Sequence, residues 1–209
     1  MRPISLRKST TYPHGATLFL LLVAALHCFA SVAQAQSAER PAPLTAHRTG
    51  AFSAVLPDRS PESEAGRWAA RFQFRGDLQA WDYDLATESF SLYVPPDYDP
   101  EGMPYGVVVW VSPFDDGVMP PELRPVFDDR HMIWIGPNNA GNPRHLFPRE
   151  GLVLDAAANV VNFYNVDPDR IFVAGLSGGG RVAAMLAVDY ADVFAGAFPI
   201  IGVTTYLDV

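Results

Sequence analysis

Residues 170–187 read RIFVAGLSGGGRVAAMLA, with four glycines inside the six residues from Gly175 to Gly180. An apolar run, RIFVAG (Arg170–Gly175), leads into them. A pattern of helical period follows from Gly178 to Tyr190, with Val182, Met185 and Leu186 on one face. Glycine-rich turns between strand and helix serve several chemistries. A phosphate-binding P-loop needs a lysine and then Ser or Thr after its glycines, whereas Arg181 and Val182 follow Gly180 here. A dinucleotide fingerprint is formally present as Gly178-x-Gly180-x-x-Ala183. Leu176 and Ser177 separate its first glycine from the strand, however, and several strands come before it.

The third reading is Gly175-Leu176-Ser177-Gly178-Gly179, the G-x-S-x-G pattern of a nucleophile elbow. In such a turn the serine occupies a strained backbone position that lifts its hydroxyl above the sheet. The residues two before and two after it must be tiny, because a Cβ there would collide across the turn. The helix that follows points unpaired amides and its positive end at the serine oxygen. The Gly178 N–H is then placed to bind a developing oxyanion. A competing reading is a serine that only caps its own helix.

Working outward, short turn-bounded apolar runs predict strands at Phe90–Val94, Tyr105–Val111 (YGVVVWV), His131–Gly136 and Ala195–Val203. Between them, Val153, Ala156, Ala157, Val160 and Tyr164 recur at helical spacing and predict a helix over Gly151–Asn165. Strand and helix alternate from Tyr105 onward, so the fold class is α/β: a mainly parallel sheet flanked by helices. Trp110 and Trp134 lie inside strand runs and read as core residues.

The amino-terminal residues are set apart from this. Arg2, Arg7 and Lys8 precede the apolar run ATLFLLLVAALHCFA (Ala16–Ala30), and Ala33-Gln34-Ala35 offers a cleavage site. Residues 1–35 therefore read as a secretory signal peptide, and no stable membrane anchor is expected. Residues 36–66, rich in Pro, Ala, Ser and charge, read as a disordered leader. The folded domain is expected over 67–209. Cleavage would remove the one cysteine, Cys28, so neither disulfide nor thiolate chemistry is expected. It would also remove three of the 15 basic residues and none of the 23 acidic ones, moving the net charge from −8 to −11. Nucleic acid is not an expected partner of so acidic a chain. Every basic residue past Lys8 is an arginine, which excludes lysine-dependent chemistry. No acid–histidine cluster suggests a metal site, and no cofactor is expected. Oligomeric state is open.

Two stretches resemble a known group. VDPDRIFVAGLSGGGRVAAMLA (Val166–Ala187) is similar to the elbow region of secreted α/β-hydrolase esterases of the polyhydroxybutyrate-depolymerase and feruloyl or acetyl-xylan esterase kind. SLYVPPDYDPEGMPYGVVVWVSP (Ser91–Pro113) is similar to their early hairpin and central strand. The resemblance covers roughly Glu88 to Val203. It implies an α/β-hydrolase fold, ester hydrolysis and Ser177 as nucleophile. It also implies as substrate a small ester, a polyester or an esterified polysaccharide.

The departures are as informative. Where the family carries a His-Gly pair after the central strand, this chain has Ser112-Pro113. Pro113 has no N–H to donate, so the Phe114 amide is the candidate second oxyanion donor. In these hydrolases an acid and then a histidine follow the serine, yet no histidine follows Ser177 in this sequence. The acids beyond it are Asp189, Asp192 and Asp208. His47 falls in the leader and His131 opens a strand at the rim opposite the elbow. Only His145, in GPNNAGNPRHLFPRE (Gly136–Glu150), follows a strand's carboxyl end. It reads as an ordinary loop histidine, with an unconventional base as the competing role. Asn138, Asn139 and Asn142 on the same loop offer amides to a pocket or serve turns. Arg181 is either a solvated helix arginine or the partner of a pocket acid.

The expectation from these observations is the amino-terminal portion of a secreted serine esterase, lacking the triad acid and base and nearly inactive alone. The alternative is a non-catalytic secreted binding module or pseudoenzyme on the same scaffold.

Overall fold

The apolar runs of the sequence assemble into one six-stranded sheet in the computed structural model, which describes residues 40–202. The expected signal peptide and Asp208 lie outside those residues. The strands are β1 (Gly50–Ala54), β2 (Phe90–Val94), β3 (Tyr105–Val111), β4 (Met132–Pro137), β5 (Val166–Leu176) and β6 (Gly196–Ile200), in the spatial order β1-β2-β4-β3-β5-β6. β1 and β2 pair antiparallel with each other, as do β2 and β4. The remaining neighbours, β4–β3, β3–β5 and β5–β6, are parallel. This is the mainly parallel, helix-flanked sheet that the α/β-hydrolase resemblance implies.

Alternation along β3 divides the core. Val107, Val109 and Val111 are buried toward one face, where helix α3 (Leu146–Phe163) and helix α4 (Gly178–Asp189) pack. Val108 and Trp110 point to the other. There they meet Trp134, Tyr93 and Phe127, the last carried by the short helix α2 (Arg124–Asp129). Trp110 and Trp134 stack at 5.1 Å, and the Trp134 indole donates to the Gly117 carbonyl at 2.8 Å, so both indoles serve the core.

Three expectations need correction. Residues 40–66 are not a disordered leader: they contain β1, and Leu44, Phe52, Ala54 and Leu56 lie in the main core. Helix α1 (Ala65–Arg71) follows. After β1 the stretch lacks periodicity because polar side chains of α3 hold Asp58, Ser60 and Ser63. Asp155, fully buried, accepts from the Ser60 amide (2.7 Å), Ser63 Oγ (2.6 Å) and the Tyr83 hydroxyl (2.6 Å). Asn159 binds the Asp58 backbone through both ends of its amide. Second, α3 begins at Leu146 rather than Gly151, because His145 caps it. Third, β6 is not a buried strand. It pairs only with β5 among the described residues, and Phe198 (55% exposed) has Phe172 as its ring partner.

Parallel pairing brings the site together. In the β3–β5 register Val111 lies beside Gly175, and in the β3–β4 register Val109 lies beside Ile135. The loops after β3, β4 and β5 therefore emerge on one rim.

Candidate active site

At that rim β5 ends and α4 begins with a single residue between them, Ser177. Its backbone sits at φ 53°, ψ −118°, a region costly for any residue with a Cβ. Its side chain is exposed and makes no cap hydrogen bond to α4. The reading of a serine that merely caps its helix is thereby removed. The turn is held by the Ser177 amide, which donates to the Ile200 carbonyl at 2.8 Å, and by close backbone approach. A Cβ on Gly175 would strike the Gly179 carbonyl, and one on Gly179 would strike the Val111 carbonyl. Both positions fit only hydrogen, as the pattern requires.

Gly178 opens α4, whose first amides have no partner within the helix. The Arg181 amide, donating to the Ser177 carbonyl at 3.1 Å, starts the ladder. Charge developing on an oxygen beside Ser177 would meet these amides and the positive end of the helix. Phe114 is placed on the neighbouring loop. Its amide donates to Ser112 Oγ at 3.1 Å, and its ring is exposed. An oxyanion there would have to replace the Ser112 hydroxyl.

The loop after β4 reaches the same place. The Asn142 amide donates to the Pro113 carbonyl (2.9 Å) and the Gly141 amide to Asp115 Oδ1 (2.9 Å), tying it to the loop after β3. The Asn142 side chain packs on the Cα of Gly178, where a Cβ would collide with it. Asn139 and His145 do not join this group. Asn139 Nδ2 donates to Glu88, the buried carboxylate that also pairs with Arg144 at 2.6 Å. His145 Nδ1 accepts from the Phe147 amide as the cap of α3, and its ring stacks on Trp81 at 4.1 Å. His131 faces Tyr105 at the opposite rim, and His47 stacks loosely on Tyr98. Asp192 is ion-paired with Arg71, whose hydrogen bond draws the carboxyl below its ordinary range.

A cleft of about 640 Å³ opens beside Ser177. Its lining includes Asn142, Arg149, Arg181 and Met185. Arg149 was not singled out from the sequence. The only signal would have been a cation in the first turns of a helix, where the dipole disfavours it, and that signal depends on knowing that α3 starts at Leu146.

Fold and site together define a strand–elbow–helix with an exposed serine on an α/β-hydrolase-type sheet. No protein-family profile matches the chain. Over 39 residues it is 49% identical to poly(3-hydroxyalkanoate) depolymerase C of Paucimonas lemoignei, a match spanning 19% of this chain and 9% of that protein. Among solved structures, S-formylglutathione hydrolase FrmB of Staphylococcus aureus overlays on 78% of this chain and 62% of its own, at 16% identity and a TM-score of 0.49. An acetyl xylan esterase from Aspergillus awamori overlays on 56% of this chain and 47% of its own, at 18% identity and a TM-score of 0.44. The chain thus spans less than two thirds of each of these three proteins. At these scores the fold rests on strand order and turn geometry rather than on the overlays.

Proposed function

We propose that this chain is the nucleophile-bearing part of a secreted serine-dependent carboxylic-ester hydrolase. The observation that carries the reading is the Ser177 backbone at φ 53°, which holds an uncapped, exposed hydroxyl at the amino end of α4. In the proposed reaction Ser177 Oγ attacks the ester carbonyl while a base takes its proton. The tetrahedral oxygen is held by the Gly178 amide, with the Phe114 amide as second donor. The alcohol leaves with a proton, and water then hydrolyses the acyl-serine. Among the described residues no base for Ser177 is found: no histidine follows it in the sequence, and His145 is engaged as a helix cap. The depolymerase match points the substrate proposal toward aliphatic esters of hydroxyacids.

A serine without its base is a poor nucleophile, so the chain alone should barely turn over p-nitrophenyl acetate. Added imidazole supplies a base from solution. With it, mass spectrometry should find an acetyl group on Ser177 that is absent from the Ser177→Ala variant. Failure to acetylate Ser177 with imidazole present would overturn the hydrolase reading. Robust Ser177-dependent turnover without imidazole would overturn the reading that no described residue serves as its base.

A further inference from the structure

One of the described arginines stands apart in its burial. Arg59 pairs with Asp82, Arg71 with Glu62 and Asp192, and Arg144 with Glu88. Arg149 is the arginine that is itself buried, at 7% exposure, and it makes no ion pair among the described residues. Its Nε donates to the Ala140 carbonyl at 2.7 Å, and one terminal nitrogen reaches Asn142 Oδ1 at 3.5 Å. Neutral acceptors alone leave a buried cation poorly compensated. Burial lowers its pKa, Asp115 opposes that, and the charge of Arg181 lowers it further. Asp115 is not within ion-pair distance, and its Oδ1 already accepts from Gly141.

Arg149 and Arg181 both line the cleft beside Ser177. Arg181 is exposed, one helical turn beyond the serine, and has no ion pair among the described residues. The third arginine of the lining, Arg144, is engaged by Glu88. Among the described residues no carboxylate lines the cleft, although the chain as a whole carries a net charge of −8. The same lining includes the apolar side chains of Leu146, Val182 and Met185.

We infer that this cleft selects esters that carry a free carboxylate at the end of an aliphatic chain, with Arg149 and Arg181 holding the carboxylate while the ester lies over Ser177. The inference rests on the hydrolase reading for what happens to the ester, but not for the binding of the anion. A planar guanidinium fork matches a carboxylate. The aliphatic wall accommodates the methylenes between the two ends. A polyester chain end and a short half-ester share this chemistry. Arg149 and Arg181 are specificity residues in this scheme and take no part in bond making.

The test uses the full chain as Ser177→Ala, so that no acylation intrudes, with monoethyl adipate and diethyl adipate as probes in calorimetric titrations. The half-ester should bind at least ~10-fold more tightly than the diester, the size of one charge-assisted contact. Arg181→Gln should remove most of that preference and leave diester binding unchanged. Arg149→Gln should do the same. If that variant fails to fold, Arg149→Lys, which keeps the charge and loses the fork, should weaken half-ester binding several-fold. Equal binding of half-ester and diester, or an unchanged preference in Arg181→Gln, would overturn the inference. So would inorganic phosphate binding as tightly as the half-ester, which would mark an unselective anion site. A half-ester preference without Ser177 acetylation would keep the anion site and discard the hydrolase reading; acetylation without the preference would do the reverse.

Discussion

Helices α3 and α4 both begin just past a loop or turn on the same rim, and each has a polar residue at its cap position. His145 takes an extended backbone, φ −60° and ψ 153°, and turns its Nδ1 back onto the Phe147 amide. Ser177 takes φ 53° and ψ −118° and leaves its hydroxyl clear of the helix. The difference extends into the packing. The α3 side is fastened by buried polar side chains, including Asp155, Asn159 and Glu150, whereas the α4 turn is fastened by their absence at Gly175 and Gly179. A polar atom used to complete its own helix is not offered to a ligand. The serine is offered because a strained backbone prevents it from capping.

The comparison breaks most easily at the glycines. Gly179→Ala drives a Cβ into the Val111 carbonyl of the central strand, and we expect a loss on the order of 4 kcal/mol in urea unfolding. A variant that unfolds with the wild-type midpoint would show that the turn is not close-packed.

Next comes Glu150 on α3, which is fully buried with Trp68 Nε1 donating to it at 2.6 Å. Burial raises its pKa from 4.5 to about 7, against the lowering effect of the Trp68 hydrogen bond. Between those values the unfolded chain has released the proton and the folded one has kept it. Stability therefore falls as pH rises through this window and levels off above it. Glu150→Gln removes this dependence and should gain about 3 kcal/mol near pH 8, shrinking toward zero near pH 4. Parallel stability–pH curves for wild type and variant would contradict this.

Smaller effects separate the two caps. Ser177→Gly relieves the strained φ and should gain about 1–2 kcal/mol while abolishing acetylation. A loss of stability would mean that the hydroxyl supports the fold. His145→Ala should lose about 1 kcal/mol as a lost cap and leave imidazole-dependent acetylation of Ser177 unchanged. Altered acetylation would restore His145 as a candidate base.

Much of this architecture is legible in the residues themselves. The run at Tyr105–Val111 coincides with β3 because a continuous, largely β-branched apolar stretch suits burial on both faces, and FSLYV at Phe90–Val94, stopped by Pro95-Pro96, coincides with β2. The elbow is legible because its spacing is a steric requirement. Residues 40–66 are not legible. Their strand, β1, is only five residues long, and Asp58, Ser60 and Ser63 beyond it are held by Asp155 and Asn159, about a hundred residues away, contacts that leave no periodicity behind. The start of α3 was hidden for a related reason: a histidine before a Leu-Phe-Pro stretch does not announce a cap.

The order of residues alone therefore determined where the sheet's central strands lie and which serine stands in a turn too tight for side chains, because burial and collision act on neighbours in sequence. Tertiary structure decided which polar groups remain available. The Ile200 carbonyl and the close approach of Val111 hold Ser177 away from its helix, Phe147 occupies His145, and the folding of the loop after β4 onto Gly178 carries Asn142 and the buried Arg149 to the cleft. Those are contacts between distant segments, and each depends on which groups the sheet register has already brought to one rim.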